Sequence, residues 1–294
     1  MQTTGRSSEG QFVVAPAAVA IQDDLIGRED FDAIRALMHR IAGIKLSDSK
    51  RDLVSGRLRR RLGVLGLENF SQYRLLVDSP AGDDERLQMI NALTTNLTSF
   101  FREAHHFVAL AELLDRMLAT AEQRRLRIWS AACSSGEEPY SIAMVVHGAL
   151  QKAGAMKRGW DARILATDID SNMVDLAAAG SYQAERADAI PPQFERLVRR
   201  RLDGLVEMKQ ALRDLIAFKR LNLQDKWPMQ GRFDVIFCRN VVIYFDKPTQ
   251  RQLFDRLADL LQPDGWLFIG HSESLLGVSD RFESQGRTIY RKIR

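Results

Sequence analysis

A chain of 294 residues, 45% hydrophobic and 27% charged, is long enough for one substantial core plus a smaller module, and its composition excludes a disordered or fibrous class. A net charge of +4 is too mild to dictate a polyanionic partner, so the placement of the cations matters more than their sum. Cys133 and Cys238 lie far apart without metal-ligand spacing, which argues against a disulfide framework and for the reducing cytoplasm, and no apolar run approaches a membrane span, so no direct membrane insertion is expected.

Residues 1–25 read as a flexible leader. The stretch FVVAPAAVAI at 12–21 has only Arg6 before it and Pro16 within it, a poor signal-peptide core. From 31 to 90 apolar residues recur at helical spacing, as in Phe31, Ile34, Met38 and Ile41, with Gly43, Gly66 and Pro80-Ala81-Gly82 as punctuation. This predicts a small helical domain over 26–92. Its segment SKRDLVSGRLRRRL, 49–62, sets Lys50, Arg57 and Arg61 along one helical stripe, with Arg60 beside them. Such a stripe is either a solvated face or a docking surface for an acidic partner helix.

Arg102, in FFRE, follows two aromatic residues at a domain junction. A guanidinium there can clamp a carboxylate bidentately, or simply pair with Glu103 or Glu137. His105 and His106 are adjacent on a helix and are expected to face different ways, so no metal site is expected. The remaining chain, 93–294, alternates strands and helices: 126–132, 162–169, FDVIFC at 233–238 and GWLFIG at 265–270. That alternation predicts a mainly parallel α/β sheet. A helix beginning near Pro248, with Leu253, Leu257, Leu260 and Leu261 inward, is expected to stop at Pro263-Asp264-Gly265. The tail, with its Gln285-Gly286 turn, reads as a closing hairpin. Residues 181–221 break the alternation with Pro191-Pro192 and Arg199-Arg200-Arg201, and are read as an inserted subdomain.

The segment IWSAACSSGEEPYSIAM, 128–144, is a strand, a small-residue turn and a helix start. In dinucleotide folds this helix start receives a pyrophosphate. Here only Gly136 of a glycine fingerprint is present, and Glu137 and Glu138 would repel a diphosphate by on the order of 4 kcal/mol per close pair. A cationic or zwitterionic ligand such as S-adenosylmethionine fits better. A second strand ends in ATDID, where Asp168 stands as an acceptor for ribose hydroxyls unless it caps the next helix, a task open to Asp170 or Ser171. Tyr244, beyond FDVIFC, lies on the crevice side of the sheet, either lining a reaction site or packed as core.

The motifs AGIKLSDSKRDLVSGRLRRRL, NALTTNLTSFFREAHHF, WSAACSSGEEPYSIA, ATDID, FDVIFCRNVVIYFD and PDGWLFIGHSES, in this order, resemble the CheR family of chemotaxis receptor methyltransferases over residues 31–290. The resemblance implies an α/β, class I (Rossmann-like) methyltransferase domain with an inserted small β-subdomain, preceded by a small all-α domain. It implies methyl transfer from S-adenosylmethionine to glutamate side chains on the cytoplasmic helical region of chemoreceptors, giving S-adenosylhomocysteine. Carried over by position, the cofactor contacts are Asn96, Thr98, Arg102, Glu138, Asp168, Asn222, Leu223, Asn240 and Val241, with Arg102 and Tyr244 at the reaction site and Lys50, Arg57, Arg60 and Arg61 docking the receptor.

Some members grip a receptor C-terminal peptide with the β-subdomain through a longer glycine-containing loop. Here RRRLDGLV leaves a tight turn at Leu202-Asp203-Gly204, so dependence on such a tether is not expected. Nucleic-acid methylation is the rival activity on this fold, but the basic stripe lacks the interleaved aromatic residues that stack on bases. A binding module that retains the fold without catalysis would be expected to lose Asp168 or the Asn240 loop, and both are present.

Overall fold

The structure is a computed structural model, in which residues 25–120, 124–155 and 159–294 are described. The leader apart from Leu25, including FVVAPAAVAI, lies outside the described residues.

Four helices form the first unit: α1 (Arg28–Ala42), α2 (Arg51–Leu65), α3 (Phe70–Asp78) and α4 (Asp83–Leu93). Phe31, Ile34 and Met38 of α1 pack against Val54 and Leu58 of α2, Tyr73 of α3 and Met89 of α4 in one small core. Gly43 and Gly66, both at positive φ, close α1 and α2, as left-handed C-terminal caps require. The Asn69 side chain caps α3 by accepting from the Gln72 N–H.

After α5 (His105–Thr120) come β1 (Arg125–Ala131), α6 (Glu137–Lys152), β2 (Asp161–Asp168) and α7 (Ser171–Ala179). An inserted unit follows, with β3 (Ser181–Gln183), α8 (Ala184–Ala187), β4 (Val198–Arg200), β5 (Leu205–Met208) and α9 (Gln210–Arg213). The chain then forms β6 (Ile216–Arg220), β7 (Phe233–Cys238), α10 (Lys247–Leu260), β8 (Leu261–Ile269), β9 (Phe282–Ser284) and β10 (Ile289–Lys292). The main sheet has the order β6-β2-β1-β7-β8-β10-β9, parallel from β6 to β8 and closed by the antiparallel β9-β10 hairpin. β1 is the middle one of the five parallel strands, and both of its faces are covered, Ile128 by the α5/α6 core and Trp129 and Ala131 by the α10 core. That two-sided cover is why its sequence reads as a continuous apolar run. β2 and β7 leave β1 on opposite sides, so the crevice at the strand C-termini opens beside β1.

Two boundaries differ from those read in the sequence. The inserted sheet, β3-β5-β4, ends at Met208, whereas β6 pairs in parallel with β2 from Ile164↔Ile216 to Asp168↔Arg220 and belongs to the main sheet. β6 is an edge strand with three of its five residues exposed, so it lacks the apolar run that announces a buried strand. Likewise α10 ends at Leu260, and β8 starts at Leu261 rather than at Gly265. Pro263-Asp264-Gly265 sits where the β7-β8 register shifts, with Asp264 at positive φ. Such an irregularity accommodates a residue without an N–H inside a strand.

Candidate active site

A cavity of about 250 Å³ lies beyond the C-terminal ends of β1, β2 and β7, and the loop between α1 and α2 forms part of its wall. Its first side is the turn after β1. Ala132 and Ser134 adopt positive φ there, and Gly136 has φ 98°. A Cβ on Gly136 would meet both the Ala177 Cβ and the Tyr182 hydroxyl at 2.7 Å, so only glycine allows α7 and the insertion to close on this turn. The two following acids then part. Glu137 is fully buried and turned away from the cavity, paired with Arg186 and bonded by the Ser135 hydroxyl at 2.8 Å. Glu138 lines the cavity and accepts from the Ser130 hydroxyl and from Arg239 Nη1, each at 2.8 Å. The expectation that both acids guard the ligand site therefore holds for Glu138 alone, because α6 presents successive residues about 100° apart.

Asp168 ends β2 and faces the same cavity. Its Oδ2 accepts from the Ser134 N–H at 2.7 Å and its Oδ1 from the Asp170 N–H at 2.9 Å, which leaves each oxygen a lone pair for a hydroxyl donor. Burial nevertheless dominates and pushes this carboxyl up to about 6. It is Asp170 that caps α7, accepting from the Asn172 and Met173 N–H groups. The other oxygen of Asp170 accepts from Thr94 Oγ1 at 3.0 Å and Asn96 Nδ2 at 2.7 Å, which pins the segment between the two units over the strand ends.

That segment supplies Asn96, Thr98 and Arg102 to the cavity. Ser134 Oγ donates to the Asn96 carbonyl at 3.0 Å. Arg102 spends Nη1 on the Leu97 carbonyl at 2.8 Å and, contrary to one sequence reading, pairs with neither Glu103 nor Glu137. Asn222 and Leu223, beyond β6, form another side. The Asn222 amide is committed to the Ile41 carbonyl at 2.8 Å and to Asp225, so its side chain ties the helical unit to the sheet.

Asn240, Val241 and Tyr244, after β7, close the wall, with Asn240 at φ 57°. The Tyr244 carbonyl accepts from the Lys45 N–H at 2.8 Å, and His39 reaches Asp246 at 3.1 Å. The nine residues expected to hold the cofactor and both expected at the reaction site thus converge on one cavity. Five non-glycine residues around it, Phe101, Glu103, Ala132, Ser134 and Asn240, carry left-handed backbone, a concentration of strain typical of functional loops.

Sequence reasoning missed Arg239. Its side chain is 1% exposed and bridges Glu138 to Glu103, while Nη2 also donates to the Arg102 carbonyl at 2.5 Å. Burial works to raise the Glu103 carboxyl, but His271, Arg239 and Asn240 together hold it down at about 2. The available signal was a lone cation placed at the end of a strand next to two strands ending in acids.

The structure shows what the members of the docking stripe touch. Arg57 donates to the Ala92, Leu93 and Thr94 carbonyls at 3.3, 3.0 and 2.7 Å, capping the C-terminus of α4. Arg61 grips the buried Glu85 through two bonds of 2.9 and 2.5 Å, with the Tyr73 hydroxyl on the same carboxylate. Both make internal ties, yet both side chains are only half-buried and line a surface pocket together with Arg60. Arg60 stays exposed, and Lys50 lies at the mouth of the cavity, since residues 48–50 form a separate 3-10 turn before α2. The expected facing of the histidines is corrected. The His105 and His106 rings are 4.2 Å apart, and both Nε2 atoms face the Arg287 carbonyl. With Glu103 they bring ligand-type atoms within 4.8 Å of one another, a grouping the sequence did not suggest, and the Arg239 guanidinium lies 3.3 Å from the same carboxylate.

The chemistry of the donors matches a ligand with cationic and hydroxyl groups. Two buried carboxylates face the cavity, only Glu138 is neutralised by a protein cation, and the Gly136 N–H that a phosphate would need is spent on the Cys133 carbonyl at 3.1 Å. Sheet, switch point and donor set are those of a class I S-adenosylmethionine-dependent methyltransferase. Residues 29–94 match the CheR methyltransferase all-alpha domain and residues 96–291 match the CheR methyltransferase SAM binding domain. The chain belongs to the CheR methyltransferase family. It is 44% identical to chemotaxis protein methyltransferase 2 of Pseudomonas aeruginosa over 90% of this chain and 92% of that protein. It is also 44% identical to the chemotaxis protein methyltransferase of Escherichia coli, over 88% and 89% of the two chains. With that of Borreliella burgdorferi it shares 35% identity over 86% and 90%. Among the described residues no helix is long and apolar enough to cross a membrane.

Proposed function

We propose that this methyltransferase esterifies glutamate side chains on the cytoplasmic helical region of chemoreceptors, so tuning signalling in chemotaxis. The observation that carries the reading is the cavity, whose wall at the strand ends brings together Glu138, Asp168, Arg102 and Tyr244. Bound S-adenosylmethionine supplies an electrophilic methyl group, which passes to a carboxylate oxygen as the sulfur–carbon bond breaks, leaving a methyl ester and S-adenosylhomocysteine.

The acceptor carboxylate is already ionised at neutral pH, so no strong base is needed and the protein's tasks are alignment, water exclusion and charge. Glu138 suits the ammonium group, and Asp168 the ribose hydroxyls. Asn96, Thr98, Asn222, Leu223, Asn240 and Val241 enclose the remainder. The N–H groups of Arg102 not used on Leu97 are suited to clamp the acceptor carboxylate, with Tyr244 beside it. Arg60 and Lys50 are the most exposed members of the basic set that would meet an acidic receptor helix, with the half-buried Arg57 and Arg61 beside Arg60. The turn between β4 and β5 is short, closed by the Arg201 N–H on the Leu205 carbonyl at 2.8 Å. This supports methylation without capture of a receptor tail.

Purified protein should release S-adenosylhomocysteine with a receptor cytoplasmic domain and not with bulk RNA. Mass spectrometry of the receptor should place the added methyl groups on glutamates. Release with RNA alone would defeat the assignment, and equal initial rates with and without the receptor tail are expected.

A further inference from the structure

The motif after β8, Gly270-His271-Ser272-Glu273, has no part in the cavity wall, yet it carries a buried carboxylate. Glu273 Oε2 accepts from the Gly270 N–H at 2.6 Å and the Asn240 N–H at 3.0 Å, and Oε1 from the Val242 N–H at 2.9 Å. Two of these donors belong to the turn after the neighbouring strand, since β7 and β8 run in parallel up to Cys238↔Ile269. Amide groups converging from one turn form an anion-binding nest. Here the anion is a side chain of the protein itself.

The turn so held is the one with Asn240 at φ 57°, a conformation that costs free energy for any residue with a Cβ. Gly270 fits the same arrangement. A Cβ there would meet Asn240 Nδ2 at 2.4 Å and its backbone N at 2.8 Å, so the two strand ends can approach only with glycine at this position. On the far side, Asn240 Nδ2 donates to Glu103 Oε1 at 3.3 Å.

We infer that Glu273 is a positioning residue for the cofactor: its carboxylate pre-forms the Asn240-Val241 turn in the shape that S-adenosylmethionine meets. This rests on the cofactor site described above. The acceptor pattern makes the inference specific. A glutamine at 273 has the same shape, but it offers one acceptor oxygen and turns an N–H₂ donor toward backbone donors, so it cannot satisfy all three N–H groups.

Calorimetry with S-adenosylhomocysteine tests it. The Glu273→Gln protein should bind at least about tenfold more weakly than wild type. Gly270→Ala, which leaves the carboxylate in place and displaces Asn240, should weaken binding similarly. In both, the KM for receptor should change less than the cofactor affinity, because the docking cations lie on the helical unit and not on this turn. Unchanged cofactor affinity in a folded Glu273→Gln protein would overturn the inference while leaving the methyltransferase reading intact. Failure of wild type to bind would instead defeat that reading. Should the variants not fold, amide exchange in the wild-type chain decides: the Asn240 and Val242 N–H groups should exchange slowly before any cofactor is added. Fast exchange that slows only on addition of S-adenosylhomocysteine would show that the cofactor, and not Glu273, shapes the turn.

Discussion

Arginines do opposite work in the two halves of the molecule. On α2, Arg57 and Arg61 are turned inward onto helix-end carbonyls and a buried glutamate. Around the cavity, Arg239 is buried between Glu138 and Glu103, while Arg102 keeps most of its N–H groups uncommitted. The first pair holds the helical unit together and anchors the start of the segment that carries Asn96 and Thr98. The second pair sets the charge of the site and leaves one guanidinium for a substrate. The two regions are therefore coupled, since Arg57 bonds the carbonyl of Thr94, whose hydroxyl is held by Asp170 beside the cavity.

The sharpest way to break this contrast is to reverse the inward pair. Arg57→Glu with Arg61→Glu should cost about 3–5 kcal/mol of stability, because Glu85 is left buried beside like charge, and should also weaken S-adenosylhomocysteine binding as the 94–98 segment loosens. Urea unfolding and calorimetry read both. Full stability with loss of receptor methylation alone would return the stripe to a purely docking role.

Arg102→Ala should lower turnover at least about a hundredfold with its urea midpoint unchanged, since alignment is the main catalytic device. Tyr244→Phe should be milder, as no proton has to be removed. Turnover of Arg102→Ala close to wild type would take that residue out of the reaction.

Glu138→Ala and Asp168→Ala should each weaken cofactor binding by about 1–3 kcal/mol, the loss of a charge-assisted hydrogen bond. The Asp168 carboxyl adds a pH signature. Burial raises it from 3.8 to about 6 in the folded chain, so its contribution to stability is complete below pH 3.8 and is lost as pH rises through 6. Cofactor hydroxyls need the ionised form, so affinity should fall as pH drops below about 6, and Asp168→Asn should flatten that profile. A wild-type affinity independent of pH across this window would remove Asp168 from the ligand contacts.

The smallest expected effect is on Arg60. Arg60→Glu should change stability by no more than about 0.5 kcal/mol, yet raise the KM for receptor in a manner that added salt reproduces in wild type. An unchanged KM would take Arg60 out of the docking set.

Much of this arrangement was legible in the residues. Local pattern determined the helical unit, the alternation of strands and helices, and the acids at two strand ends, because apolar period and turn chemistry act over a few residues. Convergence of Glu138, Asp168 and Asn240 follows from a topological rule, that loops at the C-terminal ends of parallel strands share one crevice, whereas Asn96 and Arg102 precede β1 and are held there by bonds to Asp170 and Arg239. What the tertiary structure alone decided was which polar groups satisfy one another. Glu137 turns to Arg186, Arg239 joins Glu138 to Glu103, Glu273 clasps a turn 33 residues away, and Arg57 and Arg61 are consumed at the end of α4 and on Glu85. A charged side chain is drawn by whichever opposite charge or unpaired carbonyl the fold brings within about 3 Å, and that neighbour is set by long-range packing, which no local stretch of sequence records.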